Sequence, residues 1–301
     1  MTNFQDDRKV KLSTYKVANL TTKQGLWRDL PYDHILPVDQ KEKNIIEAFR
    51  QDFWTYYKGS DIKLHQYFHH LNSSQALCFN LFFPLFHYDK RLLTYVLHRI
   101  IEVAPTYKTS KENLDKLFAI KNDIDSDRFA SELDEEFLIK NTFLACEFEK
   151  ILDSKEATNF DFFVQQPNGH RVLFELKYTE HGFGKTVADE RHKSKYDTIY
   201  KPRLEKLLRP EFLNQDFVFK NYQIVRNLSY IDDLTTVVFL FPEANQDLKG
   251  TADLIDNILL PNYVHQTRVV HIENLIRQIL NSDYLKRLHP IFETFNHIYF
   301  G

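Results

Sequence analysis

Asp161, Glu175 and Lys177 are residue types that together can hydrolyse a phosphodiester bond. The stretch that carries them, NFDFFVQQPNGHRVLFELKY (Asn159–Tyr178), spaces them as two paired strands would. Phe160–Gln165 is aromatic and β-prone, and Pro167-Asn168-Gly169 supplies turn chemistry. Arg171–Tyr178 alternates, with Val172, Phe174, Leu176 and Tyr178 on one face and Arg171, Leu173, Glu175 and Lys177 on the other. Hairpin pairing would bring Asp161 alongside Glu175. Adjacent carboxylates raise one another's pKa unless a cation lies between them. Magnesium takes hard oxygen ligands, of which one or two are usually protein carboxylates. Asp161 and Glu175 are therefore the candidate ligands, with the carbonyl of Leu176 as a further oxygen. Water on such an ion has a lowered pKa and becomes a nucleophile. Lys177 would orient that water and offset charge developing on the phosphate.

At these residues the chain resembles the PD-(D/E)XK nuclease superfamily, the restriction endonuclease-like fold: Asp161 matches the first acid, Glu175 the second and Lys177 the lysine of E-L-K. Asn159-Phe160 stands where a proline often precedes the first acid. The segments HLNSSQALCFNLFFPLF (His70–Phe86) and YQIVRNLSY (Tyr222–Tyr230) are also similar to a bacterial restriction-endonuclease-like branch. The resemblance implies an α/β protein with a core in the order α-β-β-β-α-β and a mixed central sheet flanked by helices, to which periodicity adds a mostly helical N-terminal region. It divides the chain into that region, residues 1–125, packed on a nuclease-like core at 126–301. It implies a magnesium-dependent DNA endonuclease of restriction or defence type, with manganese as a substitute ion, DNA as partner, no nucleotide cofactor and a homodimer left open. It implies a metal-binding glutamate on the helix before the sheet, where Glu132 and Glu136 stand, and a role for Gln223 against substrate or the metal shell. The alternative is a module that keeps the nuclease fold, has lost catalysis, and binds nucleic acid or protein.

Composition bounds these readings. The chain has 301 residues with 43% hydrophobic and 27% charged content, a globular composition large enough for one large domain or two ordinary ones. Net charge near −3 motivates the inactive alternative, although a local basic surface beside an acidic site suffices for DNA. With only Cys78 and Cys146 there is no disulfide framework or cysteine metal cage. The N-terminal stretch is not a signal peptide, and the longest apolar run, Ala76–Phe86, is interrupted and too short to span a bilayer. These features read as a cytoplasmic protein.

The elements that must position the site follow from periodicity. Residues 1 to about 40 read as an irregular arm with proline breakers. Helices are expected at Lys41–Lys58, Ile62–Leu71, Gln75–Phe83 (ended or kinked by Pro84), Lys90–Val103, Asn113–Ile120 and Arg128–Asn141. Phe143–Leu152 reads as the first strand, with Glu147 and Glu149 outward on one face as weaker ligand candidates. After the hairpin come a helix over Asn221–Tyr230, buried parallel strands at Leu234–Phe241 and Arg268–Ile272, and an amphipathic helix at Glu273–Leu285.

Other constellations have competing explanations. Arg226, on the face of Gln223, could fork onto a phosphate, or both could pair within the fold. The loop HGFGKT (His181–Thr186) ends like a P-loop but lacks its first glycine, so Lys185 reads as a substrate-side lysine beside the metal site. Residues 185–209 hold eight basic side chains against four acids, with Tyr196 and Tyr200 interleaved, which suits phosphate neutralisation or an ordinary solvated surface. His65 and His69 have zinc-like spacing but no third ligand at motif distance. Ser73-Ser74-Gln75 reads as a helix cap or a substrate-positioning stretch.

Overall fold

The alternation at Arg171–Tyr178 becomes the middle strand of a five-stranded sheet in a computed structural model that describes residues 3–103, 135–156 and 159–301. A small hairpin, β1 (Gly25–Trp27) and β2 (Leu30–Tyr32), precedes it. The sheet runs in chain order through β3 (Ala145–Ile151), β4 (Asn159–Gln165), β5 (Arg171–Leu176), β6 (Thr235–Phe241) and β7 (Thr267–His271). β3, β4 and β5 pair antiparallel, and β6 and β7 add in parallel. Tight turns suffice for antiparallel neighbours: Gly169 takes φ 85° in the β4–β5 turn, as Asn-Gly allows. The β5–β6 step needs a long crossover, which includes the helix Tyr222–Leu228. β6 is buried along its whole length, as its unbroken apolar run predicts.

The two faces of the sheet bury separate cores. On one, Phe162, Val164, Val172, Phe174 and Leu176 pack against α3 (Ser74–His87) and the C-terminal helices Ile272–Leu280 and His289–Tyr299. Phe82 of α3 stacks on Phe162 at 4.3 Å; each such buried ring contributes roughly 1.5–3 kcal/mol. On the other, Phe163, Leu173, Val237 and Phe239 pack against Tyr196, Tyr200, Val225 and Leu228 of the crossover. Helix 135–141 followed by β3, β4, β5, Tyr222–Leu228 and β6 is an order compatible with a restriction endonuclease-like core.

Several expectations change. The first forty residues are not an irregular arm: α1 (Phe4–Asn19) is capped by Asn3, whose side chain accepts the Asp6 N–H. Its buried positions are Gln5, Arg8, Leu12 and Lys16, so the inward face carries almost no apolar signal. Lys41–Lys58 is helical only in part. Short 3-10 turns precede α2 (Arg50–Lys58), because Ile46 turns its N–H to the Asn80 side chain. Residues 62–71 form turns instead of a helix. The Asn44 side-chain amide donates to the carbonyls of Phe68 and His70 and ties this segment down as turns. α3 runs through Pro84 to His87, and Lys90–Tyr95 passes into a wider turn at Val96–Ile100. The final helix His289–Tyr299 follows the expected one at Glu273–Leu285, which ends at Leu280 before a 3-10 turn. The expected helix Asn113–Ile120, Glu132 and the start of the helix from Arg128 lie outside the described residues.

Candidate active site

The acids meet where strand pairing stops. β4 pairs with β5 from Gln165–Arg171 to Phe162–Phe174 and no further. At the next position the Asp161 side chain replaces the backbone ladder, and its Oδ2 accepts the Leu176 N–H at 2.6 Å. On the other edge, β3 pairs with β4 on either side of Glu149 but not at it. Glu149 has φ 55°, a left-handed conformation inside a strand that costs of order 1–3 kcal/mol and persists only when its surroundings impose it. Phe160 and Phe162, two residues apart, lie in opposite cores, so β4 turns over at Asp161. This local opening of the sheet leaves Asp161, Glu149 and Glu175 within electrostatic reach of one another.

Each carboxylate is held by amides. Glu175 is 2% exposed. Its Oε1 accepts from Lys177 Nζ at 2.7 Å and from the Gln223 side chain, and its Oε2 accepts from Asn227 at 2.8 Å. Arg226 Nη2 stands 3.8 Å from Oε2 and also bonds Asn227 Oδ1. Glu149 accepts from Gln75 Nε2 at 2.9 Å and from the Asn159 side chain. Gln75, at the start of α3, also donates to the Lys63 carbonyl and accepts the His65 N–H.

The electrostatics follow from burial. Desolvation and the neighbouring carboxylates of Glu175 and Glu149 push the Asp161 pKa well above the usual range, against Lys177 and the Leu176 N–H. Glu149 is pushed up by burial and by Glu175, with Gln75 and Asn159 opposing. Lys177 is driven upward because Glu175, Asp161 and Glu180 outweigh its own desolvation. Its ammonium also lies 5.8 Å from the Phe183 ring centroid. Beside these groups a cleft of about 390 Å³ is lined by Gln75, Glu149, Asn159, Asp161, Thr179 and Glu180, among others. Among the described residues, no three histidine, cysteine, aspartate or glutamate side chains already close on one point as a metal cage. Lys177 occupies the position of counter-ion to Glu175.

The structure thus brings together Asp161, Glu175, Lys177, Gln223 and Arg226. The Leu176 N–H, donated to Asp161, joins that residue to the same group. Lys185 is exposed in the loop after β5, whose Gly184 N–H donates to Gln223 Oε1 at 3.0 Å. Glu136 is exposed and pairs with Lys140 at 2.6 Å, one turn along its own helix. Glu147, expected to share a face with Glu149, pairs instead with Lys150 at 2.7 Å. Tyr196 and Tyr200 are buried in the second core and offer no exposed rings; Lys195 and Arg203 of the same stretch pair with Glu156 and Asp153. His69 is buried while His65 is exposed, and with no helix there they share no face. Asn159, Asn227 and Glu180 were not identified from sequence as parts of the site. Ser73-Ser74-Gln75 was read as a helix cap or a substrate-positioning stretch; Ser73 caps α3 and Gln75 reaches Glu149.

A family model described as Restriction Endonuclease associating with ARP matches residues 8–294. No curated protein and no solved structure matches.

Proposed function

Because this chain belongs to the family of restriction endonucleases associating with ARP, we propose that it is a metal-dependent endonuclease that cuts DNA with a PD-(D/E)XK site built from Asp161, Glu175 and Lys177. The observation that carries the proposal is the Asp161 carboxylate at the opened end of β4, next to a buried Glu175 paired with Lys177. The donor set fits a hard divalent cation. Burial first, and then neighbouring carboxylates, raise the pKa values of Asp161 and Glu149, and a cation between these acids would offset both. Asp161 and Glu175 would hold magnesium or manganese, with the Leu176 carbonyl as a further oxygen and Glu149 as the acid nearest to hand. The chemistry such an ion would supply at these residues is a water of lowered pKa and a polarised scissile phosphate.

The remaining work belongs to the chain. Gln223 and Asn227 fix the plane of Glu175, and Gln75 and Asn159 fix that of Glu149. Lys177 offsets charge that develops on the phosphate as its ester bond breaks. Arg226 and the exposed Lys185 supply cationic contacts to neighbouring phosphates. Substituting Asp161→Ala or Lys177→Ala should lower magnesium-dependent plasmid cutting at least about a hundredfold with an unchanged circular dichroism spectrum. Wild-type cutting by either variant would remove the assignment.

One observation favours a second reading, the nuclease fold without catalysis: Lys177 already neutralises Glu175, and no ready-made cage stands among the described residues. Calorimetric titration with manganese separates the two. Binding heat that disappears in Asp161→Ala supports the enzyme, and absence of any heat supports the module. Association with ARP, which the family description names, carries over to this chain as a further proposal, tested by copurification.

A further inference from the structure

Beside the cleft that carries Glu149 and Asp161 lies a second cavity of about 510 Å³, and Tyr67, His70 and Asn72 line both. Its walls are rings. Trp27, Tyr32 and His34 form one row, with Trp27 and Tyr32 edge to face at 5.9 Å and Tyr32 and His34 at 5.7 Å. Tyr67 and His70, 5.0 Å apart, line the cavity from the segment leading into α3. Lys9 of α1 supplies a cation at its edge. Burial lowers His34 and His70 to about 4, so at neutral pH each imidazole offers one donor and one acceptor and no charge.

The hairpin that brings Trp27 and Tyr32 has its own unusual features. Arg28 and Asp29 at its tip take φ 51° and 63°, the paired left-handed turn that matches strand twist, but with arginine where glycine or asparagine is usual. The Arg28 guanidinium lies 4.7 Å from the Trp27 ring centroid. Leu26 and Leu30 stand 56% and 58% exposed on either side of the turn. Gly25 docks the hairpin. A Cβ there would come within 2.2 Å of the Leu36 carbonyl, so this rigid approach needs glycine.

We infer that this cavity receives a single unstacked nucleobase of the DNA strand lying in the adjacent cleft, with Trp27 and Tyr67 as its stacking rings and Tyr32, tilted 62° from the Trp27 plane, against its edge. The inference rests on the nuclease reading for the identity of the strand. Every base has a π face, so aromatic walls hold one without sequence preference, and base-edge contacts add selection. His34, His70 and Asp33 are the edge groups within the cavity. The exposed leucines at the hairpin tip are of the type that wedges between base steps and holds a stack open. Cutting would then depend on whether the base, or a modification on it, fits beside the cleavage site.

The test uses the full chain and the fluorescent nucleotide 2-aminopurine-2′-deoxyriboside 5′-monophosphate, which is quenched on stacking. Saturable quenching is expected in the wild type. Trp27→Ala and Tyr67→Ala should bind at least about tenfold more weakly, the loss of one stacking partner. Trp27→Phe, which restores a ring, should recover most of the affinity. No saturable quenching up to millimolar probe, equal quenching in Trp27→Ala, or full displacement by inorganic phosphate would each overturn the inference. The nuclease reading fails separately, if Asp161→Ala still cuts plasmid. In that case nucleotide binding reports on the cavity alone.

Discussion

Asp161 is the residue on which chemistry and stability pull in opposite directions. Its carboxyl and that of Glu149 are raised in the fold, so the native state keeps protons that the unfolded chain releases near pH 4. For metal-free protein their contribution is most favourable at and below that pH and declines as pH climbs through the raised native values. Lys177, also raised, has the same sign in a higher window: its contribution is fully present below its unfolded value of about 10.4 and is lost only as pH rises beyond it. Thermal melts in chelator from pH 4 to 8 should therefore show Asp161→Asn gaining on the wild type as pH rises, by on the order of 1 kcal/mol at neutral pH. Parallel pH slopes for the two proteins would contradict this account. The same substitution should abolish cutting, since the neutral amide gives up the charge proposed to hold the cation. Asp161, Glu175 and Lys177 were legible in the sequence because one lies in a β-prone aromatic run and two alternate on the next strand. Glu149 could be named there only together with Glu147, because alternation puts the two on one face and only the left-handed backbone of Glu149 sends them apart.

Among the elements, the start of α3 matters most to the site. Gln75 satisfies the Lys63 carbonyl and the His65 N–H while orienting Glu149, so one side chain ties a turn-rich segment to an acid 74 positions away. Gln75→Leu should cost about 1–3 kcal/mol by urea denaturation. It should also lower cutting roughly 10- to 100-fold, as loss of an orienting partner usually does. Unaltered activity would mean that Glu149 needs no support. The strands were readable because their turns and alternation are local properties of the chain: Pro167-Asn168-Gly169, the Val172–Leu176 pattern and the apolar run of β6 carry their own signals. α1 was not readable, because its buried face is built from Gln5, Arg8 and Lys16, whose partners come from distant segments. The turns at residues 62–71 were misread for the same reason: the Asn44 side chain, from an earlier segment, holds the carbonyls of Phe68 and His70.

At the scale of the molecule, segments of the first eighty residues are tied to the last helix through α3 and α1. The Asn80 side chain accepts the Ile46 N–H and donates to the Asn44 carbonyl and the Tyr299 hydroxyl, all buried. Asn80→Leu would strand three polar groups in a dry core and should cost about 3 kcal/mol, seen as a lower urea midpoint with an unchanged slope. A fall in slope would instead point to a change in how much of the chain unfolds together. Arg8 of α1 donates to the Tyr299 carbonyl at 3.0 Å, and the Tyr178 hydroxyl donates to the same oxygen at 2.8 Å.

Tyr178 directly follows Lys177, so that shared carbonyl has a practical meaning for genetics. A random-mutagenesis screen scored only on survival of the target plasmid would recover inactivating hits at Arg8, Asn80 and Tyr299 as well as in the carboxylate cluster. None of those three positions would be expected to touch DNA, and a map of such hits along the gene would look scattered until folded.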